Sequence, residues 1–164
     1  MKNFILFLFA VAIAVSCKDD DKDADVRDQA TGTYEYSSQL YILEGSDLNF
    51  VGGDFTPKGT AVLTKNDQGF ELKDGADIVF TGSKIAKSAN GFAFDVNSQV
   101  LIVSETEFEA VGFEKVAVGA TNYHGEYESS SKELRAYYKF EGLYYQDEGE
   151  PEEVTFVLEI VGTL

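Results

Sequence analysis

The feature that most constrains this fold is the alternation of apolar and polar positions at every second residue. Across residues 133–140 every second side chain is apolar, and an arginine and a lysine lie among the residues between them. Residues 92–96 and 154–160 repeat the same apolar period. Side chains two apart lie on one face of a β-strand, so this period predicts strands with one buried face. Beyond the N-terminal apolar segment, we find no sustained period of 3.6 residues, and we expect an all-β domain.

Short turn sequences separate these alternating segments. Glycine, asparagine, aspartate and serine cluster at residues 66–69, 73–75, 88–91 and 128–132. These residue types tolerate positive φ or form local side-chain turns, so they favour tight hairpins. The pattern predicts roughly eight to ten strands, which is typical of a barrel or a sandwich. The predicted strands are residues 32–43, 59–65, 69–73, 77–82, 91–96, 99–104, 106–111, 122–128, 133–142 and 153–163. Residues 112–121 fit either a loop or an irregular strand.

The N-terminus has the pattern of a signal peptide. Lys2 precedes the uncharged apolar residues 4–15, and the only cysteine of the chain, Cys17, follows. The apolar segment is shorter than the roughly 20 residues that cross a bilayer, but it fits the roughly 7–15 residues of a signal-peptide core. Residues 14–17, Ala-Val-Ser-Cys, resemble the lipobox of bacterial lipoproteins. This resemblance implies cleavage after residue 16 and lipidation of Cys17, with enough acyl chains for stable anchoring. The alternatives are plain secretion with a free thiol and a retained anchor helix.

A charged segment, residues 18–30, follows the cysteine. It holds six acidic and three basic residues, a composition that cannot bury enough apolar surface to fold. We therefore interpret residues 17–30 as a lipidated cysteine with a flexible tether, which as a coil would span roughly 20 Å. An acidic segment after the cysteine also resembles the surface-export signal of Bacteroidota lipoproteins. That resemblance implies an outer-membrane protein facing the cell surface, with a periplasm-facing orientation as the alternative.

Charge restricts the partners of the remaining domain, residues 31–164. The full chain has a formal net charge of −16, and the domain keeps about −14 once residues 1–30 are set aside. A surface this acidic repels phosphate backbones and anionic lipid head groups. We therefore expect no nucleic-acid partner. The expected partners are the membrane, through the acyl chains, and a small ligand or an envelope protein of unknown identity.

Two groups of residues could suggest catalysis. His124 is the only histidine, and alternation places it on the solvent side beside Glu126 and Glu128. A zinc site needs about four ligands, usually cysteine or histidine, so one histidine does not indicate such a site. No Gly-x-Ser-x-Gly nucleophile elbow occurs in the chain.

The second group is Glu105, Glu107 and Glu109, which alternation places on one strand face. Residues two apart on a strand are separated by about 6.6–7 Å, within the range of inverting glycoside hydrolases. A solvated strand face explains the same pattern, because charge on a strand opposes edge pairing. We expect no enzyme, no cofactor and no metal site, with an acid-residue glycoside hydrolase as a remote alternative.

The aromatic residues indicate binding. Four tyrosines fall on predicted outward faces or in loops and could contact a ligand or partner. These are Tyr41, Tyr137, Tyr144 and Tyr145. Seven aromatic residues fall on predicted inward faces, where they could line an apolar cavity or fill the core of a small barrel. These are Phe70, Phe80, Phe92, Phe94, Tyr138, Phe140 and Phe156.

Taken together, several segments resemble the lipocalin-like, or calycin-like, lipoproteins of Bacteroidota. They are the lipobox, the acidic tether, an opening Gly-x-Tyr strand at residues 32–34, the hairpin at 82–92 and the final pair of strands ending at 159–163. The resemblance implies an antiparallel up-and-down β-barrel without catalytic residues. A lipocalin proper would begin with Gly-x-Trp, whereas Tyr34 occupies that position here. Three hypotheses follow: a ligand- or partner-binding module, an accessory subunit of an outer-membrane nutrient-uptake assembly, and the remote hydrolase.

Overall fold

The computed structural model describes residues 24–51, 58–103, 105–145 and 149–164, with only the backbone of Val103. The predicted signal peptide, Cys17 and the first part of the predicted tether lie outside the described residues. The described elements are one short 3-10 helix, η1, and thirteen strands. They are η1 (Val26–Ala30), β1 (Gly32–Glu44), β2 (Asp47–Phe50), β3 (Gly59–Asn66), β4 (Gly69–Asp74), β5 (Asp77–Ser88), β6 (Gly91–Val96), β7 (Gln99–Val103), β8 (Thr106–Gly112), β9 (Val116–Val118), β10 (Thr121–Tyr123), β11 (Gly125–Glu128), β12 (Glu133–Tyr144) and β13 (Glu152–Thr163).

Eight of these strands close into an antiparallel barrel. The ring runs β1, β3, β4, β5, β6, β11, β12 and β13, and β13 pairs with β1 to complete it. Each ring strand pairs with the next ring strand along the chain, which is the up-and-down order. The prediction of an all-β, antiparallel, up-and-down barrel is therefore confirmed. In the described part of the chain, no helix has the length and apolar character needed to cross a membrane.

The predicted strands are recovered with local differences. The predicted strand 122–128 is divided at His124 into β10 and β11, and the ambiguous residues 112–121 contain β9. β5 continues to Ser88, well past the predicted end at residue 82, because a bulge between Ser83 and Ala86 keeps the strand paired with β6. The sequence analysis missed β2, a short strand that pairs with the end of β1.

One end of the barrel, which we call the closed end, is filled by aromatic side chains. Phe70, Phe80, Phe92 and Phe94 are fully or almost fully buried. Phe70 makes edge contacts with the other three rings, with centroid distances of 4.9–6.1 Å. Aromatic pairs in this arrangement stabilise a core by about 0.5–1.5 kcal/mol each beyond their burial.

Helix η1 covers the closed end. Its Ala30 is fully buried, and the carbonyl of Ala30 accepts a hydrogen bond from the hydroxyl of Tyr34 at 2.7 Å. The guanidinium of Arg27 donates to the carbonyls of Asn66 (2.9 Å) and Gly69 (2.7 Å), across the β3–β4 turn. The tether was predicted to extend through residue 30, but residues 26–30 pack on the barrel because their few apolar side chains reach its core.

The opposite end, which we call the open end, is where the extra strands attach. β11 pairs with only the first four residues of β12, Glu133–Ala136. Further along β12, β8 takes the same edge through Gly112 and Val111, and β7 pairs with β8. β2 extends the wall beside the end of β1. These additions surround the mouth of the barrel, where the candidate site lies.

Candidate functional site

The candidate site is an apolar cavity of about 560 Å³ at the open end, which we call the mouth cavity. The last residues of β12 and the first residues of β13 form one wall, and β1 and β8 contribute the facing residues. Residues that line the cavity are Leu40, Val51, Thr106, Phe108, Phe140, Gly142, Leu143, Tyr144, Tyr145 and Phe156. No charged side chain is among these described lining residues, and the volume falls within the range of small-molecule pockets.

Three rings in contact form the base of the mouth cavity. Phe140 and Phe156 are partners in the β12–β13 register, with ring centroids 5.4 Å apart and ring planes 25° apart. Phe108, from β8, lies 4.9 Å from Phe140. Because β8 pairs with β12 only at the open end, it brings the third ring to this position.

Gly142 keeps the space above these rings open. A Cβ atom at this position would lie 3.1 Å from a ring atom of Phe156 and 3.2 Å from one of Phe108. These distances are tighter than ordinary van der Waals contact, so any side chain here would press on the rings or occupy the cavity. The residue is therefore a natural position for a variant that fills the site.

The seven inward aromatic residues predicted from the sequence divide into two groups. Phe70, Phe80, Phe92 and Phe94 pack against one another and fill the closed end, whereas Phe140 and Phe156 line the mouth cavity. Tyr138 lies between these levels, paired with Leu158 on β13, and is fully buried. Its hydroxyl makes no hydrogen bond to any described protein group, and burial raises its pKa.

The four tyrosines predicted to contact a ligand or partner also divide. Tyr144 and Tyr145 line the mouth cavity, and Tyr145 is largely exposed. Tyr41 and Tyr137 lie on the outer face of the barrel on either side of Glu159. Tyr137 has the predicted outward direction but is only 7% exposed, because it packs against its cross-strand neighbour Glu159. It therefore offers little surface to a partner.

Glu159 is a buried carboxylate on this outer face, held by three donors. The hydroxyl of Tyr41 donates to it at 3.0 Å, the hydroxyl of Tyr137 at 3.1 Å, and the guanidinium of Arg135 at 3.0 Å. Burial, and then the charge of Glu159, raise the pKa values of both tyrosines. Since the carboxylate is already satisfied, we interpret this cluster as a cross-strand brace of the wall.

The sequence analysis predicted that His124 lies on the solvent side beside Glu126 and Glu128, and this prediction is wrong. His124 interrupts the strand between β10 and β11, and its side chain is 21% exposed. Nδ1 accepts from the backbone N–H of Val96 at 3.3 Å and lies 3.6 Å from a carboxylate oxygen of Asp95. Alternation failed here because the break between the two strands turns the side chain toward β6.

Two of the three glutamates predicted to share a strand face do so, and Glu105 does not, because β8 begins after it. Glu107 and Glu109 are exposed, and the inward residues between and after them are Phe108 and Ala110. Glu105 precedes the strand with a positive φ of 67°. Among the described residues, no group of three or more His, Cys, Asp or Glu side chains is placed to hold a metal ion.

The sequence analysis did not assign Leu40, Thr106, Phe108 or Gly142 to a site. Alternation does place Phe108 on the inward face of its strand, and this was the available signal. The signal was incomplete, because the pairing of β8 with β12 joins segments about 30 residues apart and no local pattern encodes it. A glycine inside a strand can mark a close approach, which is the role that Gly142 has here.

Fold and site together define a closed eight-stranded antiparallel barrel with one packed end and one aromatic mouth. No protein-family model matches the chain, and no curated protein matches it significantly. The chain is similar to part of the crystal structure of a multidomain protein including DUF1735 from Bacteroides ovatus, at 8% sequence identity and a TM-score of 0.28. The match covers 80% of this chain and 55% of the other, so the chain spans little more than half of that protein. A likeness this weak carries no argument about function.

Proposed function

We propose that this chain is a non-catalytic, lipocalin-like lipoprotein, anchored to the outer membrane, that binds a small neutral ligand in its mouth cavity. The mouth cavity of about 560 Å³ is the observation that carries the proposal. A small barrel usually fills its interior with its own side chains, as the closed end does here. The open end departs from that rule, and such a concave apolar site is the usual form of a ligand pocket.

The lining indicates the class of ligand. The rings of Phe108, Phe140 and Phe156, which contact one another in sequence, favour flat apolar or ring-bearing molecules. Thr106 and Tyr144 add hydroxyl-bearing side chains that could orient the ligand by hydrogen bonds. The domain carries about −14 in net charge, and no described lining residue is cationic, so anions such as fatty acids are disfavoured.

The end of the barrel at which the tether joins supports entry of the ligand from the aqueous side. The described chain enters the barrel at the closed end, through η1, and the mouth cavity is at the opposite end. β1 has thirteen residues and connects these ends, about 40 Å along the strand at roughly 3.3 Å per residue. A lipid on Cys17 would therefore hold the closed end toward the bilayer and the mouth cavity away from it. The proposed orientation is toward the cell surface, with the periplasm as the alternative.

A neutral dye tests the binding site. We expect saturable binding of N-phenyl-1-naphthylamine, measured by its fluorescence increase, and much weaker binding of its anionic sulfonate analogue. The variant Gly142→Leu should weaken dye binding by about tenfold or more, a loss of about 1.4 kcal/mol, because it fills the cavity. Thr64→Leu, at an exposed position on β3, is the matched control and should bind like the parent. Equal binding by both variants, or no saturable binding, would refute the proposed site.

The anchor is tested separately. In the native host, the parent should incorporate labelled fatty acid and sediment with membranes, whereas Cys17→Ala should do neither. Digestion of intact cells with a protease that cannot enter them should remove the protein if it faces outward. Recovery of Cys17→Ala in the membrane fraction would contradict a lipid anchor at this residue.

A further inference from the structure

The barrel wall contains a gap at its open end, between β5 and β7, which we call the seam. In the described residues, β7 pairs with β8, and no ladder joins its other edge to β5. Near the base of the seam, the backbone N–H of Asn97 donates to the carbonyl of Thr81 at 3.2 Å. Farther up, the side chain of Gln99 reaches the carbonyl of Val79 at 3.1 Å. A side chain thus replaces backbone pairing, which indicates that the two strands diverge toward the open end.

Apolar side chains border the seam on both sides. Ile78 on β5 is 52% exposed, and Val100 and Ile102 on β7 are 58% and 66% exposed. Behind them lies a second opening of about 430 Å³, which shares no described lining residue with the mouth cavity. A natural edge strand usually carries lysine, proline or a bulge that prevents pairing with another chain. β7, with the sequence Gln-Val-Leu-Ile-Val, carries none of these.

Acidic side chains accompany the exposed apolar ones. In the β7–β8 register, Val100 is opposite Glu109 and Ile102 is opposite Glu107, and both glutamates are exposed. Asp74 and Asp77 line the opening from the β4–β5 turn. Residues opposite each other in a register share one face of the sheet, so the two glutamates lie on the same face as the apolar side chains of β7. A segment lying along β7 would therefore have apolar side chains beside it and carboxylates on both sides of the seam.

From this arrangement we propose that the seam binds an extended, basic peptide segment of a partner protein, which adds a strand to the free edge of β7. Main-chain hydrogen bonds to β7 would supply affinity, as in other cases of strand addition. Alternate apolar side chains of the peptide contact Val100 and Ile102 on the outer face, and its lysine or arginine residues, on the opposite face of the added strand, point toward the opening that Asp74 and Asp77 line. This partner site is independent of the ligand proposed for the mouth cavity.

Charge selects a basic partner over the other possible occupants. A second copy of this chain would bring two acidic domains together, each carrying about −14, and would place like charges beside each other. The chain's own segment 18–30 has the same unfavourable sign, with six acidic and three basic residues. A basic segment complements both the exposed edge and the carboxylates on either side of the seam.

Defined peptides test this proposal on the full mature lipoprotein in detergent micelles. We expect a blocked ten-residue peptide of alternating valine and lysine to bind, by calorimetry, with an affinity that falls as salt is added. A valine–glutamate peptide of the same length should bind at least about tenfold more weakly. Two further peptides keep the same charge but are N-methylated, one at every odd residue and the other at every even residue, so each loses the backbone N–H donors along one edge of the strand. Only one of these two edges can face β7, so only one of the two peptides should lose binding.

The matching protein variant is Val100→Lys/Ile102→Lys, which removes the apolar contacts and blocks the edge with charge. It should reduce binding of the basic peptide by about tenfold or more. The control Val62→Lys/Thr64→Lys adds the same charge to the exposed face of β3, and we expect a change of less than about threefold. Retained binding in the β7 variant, equal binding of basic and acidic peptides, or equal binding of both N-methylated peptides would overturn the proposal. Self-association abolished by the β7 variant would instead identify a second copy as the occupant and would also overturn it.

Discussion

The packing of Phe70 over Gly82 leads to a prediction that tests the closed end directly. These residues are partners in the β4–β5 register, and Phe70 is fully buried. A Cβ atom on Gly82 would lie 2.3 Å from Cζ of Phe70 and 2.5 Å from Cε1. Gly82 has no positive φ in this structure, so the contact with the ring, and not backbone strain, determines the effect of a substitution.

The magnitudes follow from this contact. Gly82→Ala overpacks the core and should lower the free energy of unfolding by about 1–3 kcal/mol. Phe70→Leu leaves a small cavity and loses ring contacts, at a cost of about 2 kcal/mol. Leucine lacks the Cζ and Cε atoms, so it also vacates the space that the new methyl group needs. The double variant should therefore be more stable than the sum of the single effects by about 1–2 kcal/mol.

Urea unfolding, followed by circular dichroism, measures this coupling. Residues 17–164 with Cys17→Ser, which cannot carry the proposed lipid, provide the background for all four proteins of the cycle. A second cycle combines Phe70→Leu with Gly142→Ala, which lies at the opposite end of the barrel, and should be additive within about 0.5 kcal/mol. Additive behaviour of Phe70→Leu with Gly82→Ala would refute the proposed packing.

Two further predictions concern tyrosine hydroxyls and pH. Tyr138→Phe should raise the free energy of unfolding by about 1 kcal/mol, since its buried hydroxyl has no described protein partner. Tyr34→Phe should lower it by about 1 kcal/mol, because its hydroxyl donates to the carbonyl of Ala30. Calorimetric Tm values distinguish the two outcomes. The hydrogen bond from Arg27 is the main cause that holds the pKa of Asp25 well below its usual value. A depressed folded pKa gives stability that is present above the unfolded pKa of about 4 and is lost as pH falls toward the folded one. Asp25→Asn should therefore lower Tm at pH 7, and its difference from the parent should shrink below pH 4.

The strands and their inward faces could be predicted from the sequence because both depend on local alternation. The inward direction of residues such as Phe94 and Phe156 follows from a period of two, whichever strands are neighbours. The same pattern could not show that Phe94 meets other rings in a filled core while Phe156 borders a cavity. That difference depends on where β11 ends and β8 begins along β12, which is a long-range property.

The N-terminal segment and His124 show a second limit of sequence reasoning. The charge of residues 18–30 predicted a tether throughout, yet Arg27 finds two backbone carbonyls on the β3–β4 turn and holds η1 against the barrel. Composition does not show such a specific contact. Similarly, His124 itself separates β10 from β11, and this break in the strand changes the face on which its side chain lies.

The most direct test of the proposed function is nuclear magnetic resonance of the lipid-free domain during titration with N-phenyl-1-naphthylamine. We predict chemical-shift changes in the segments around Thr106, Phe140 and Phe156 at the open end. The amides of Phe70 and Phe94, in the packed closed end, should remain unchanged. Shifts centred on the closed end or the outer wall, or no shifts at saturating dye, would contradict a ligand site in the mouth cavity.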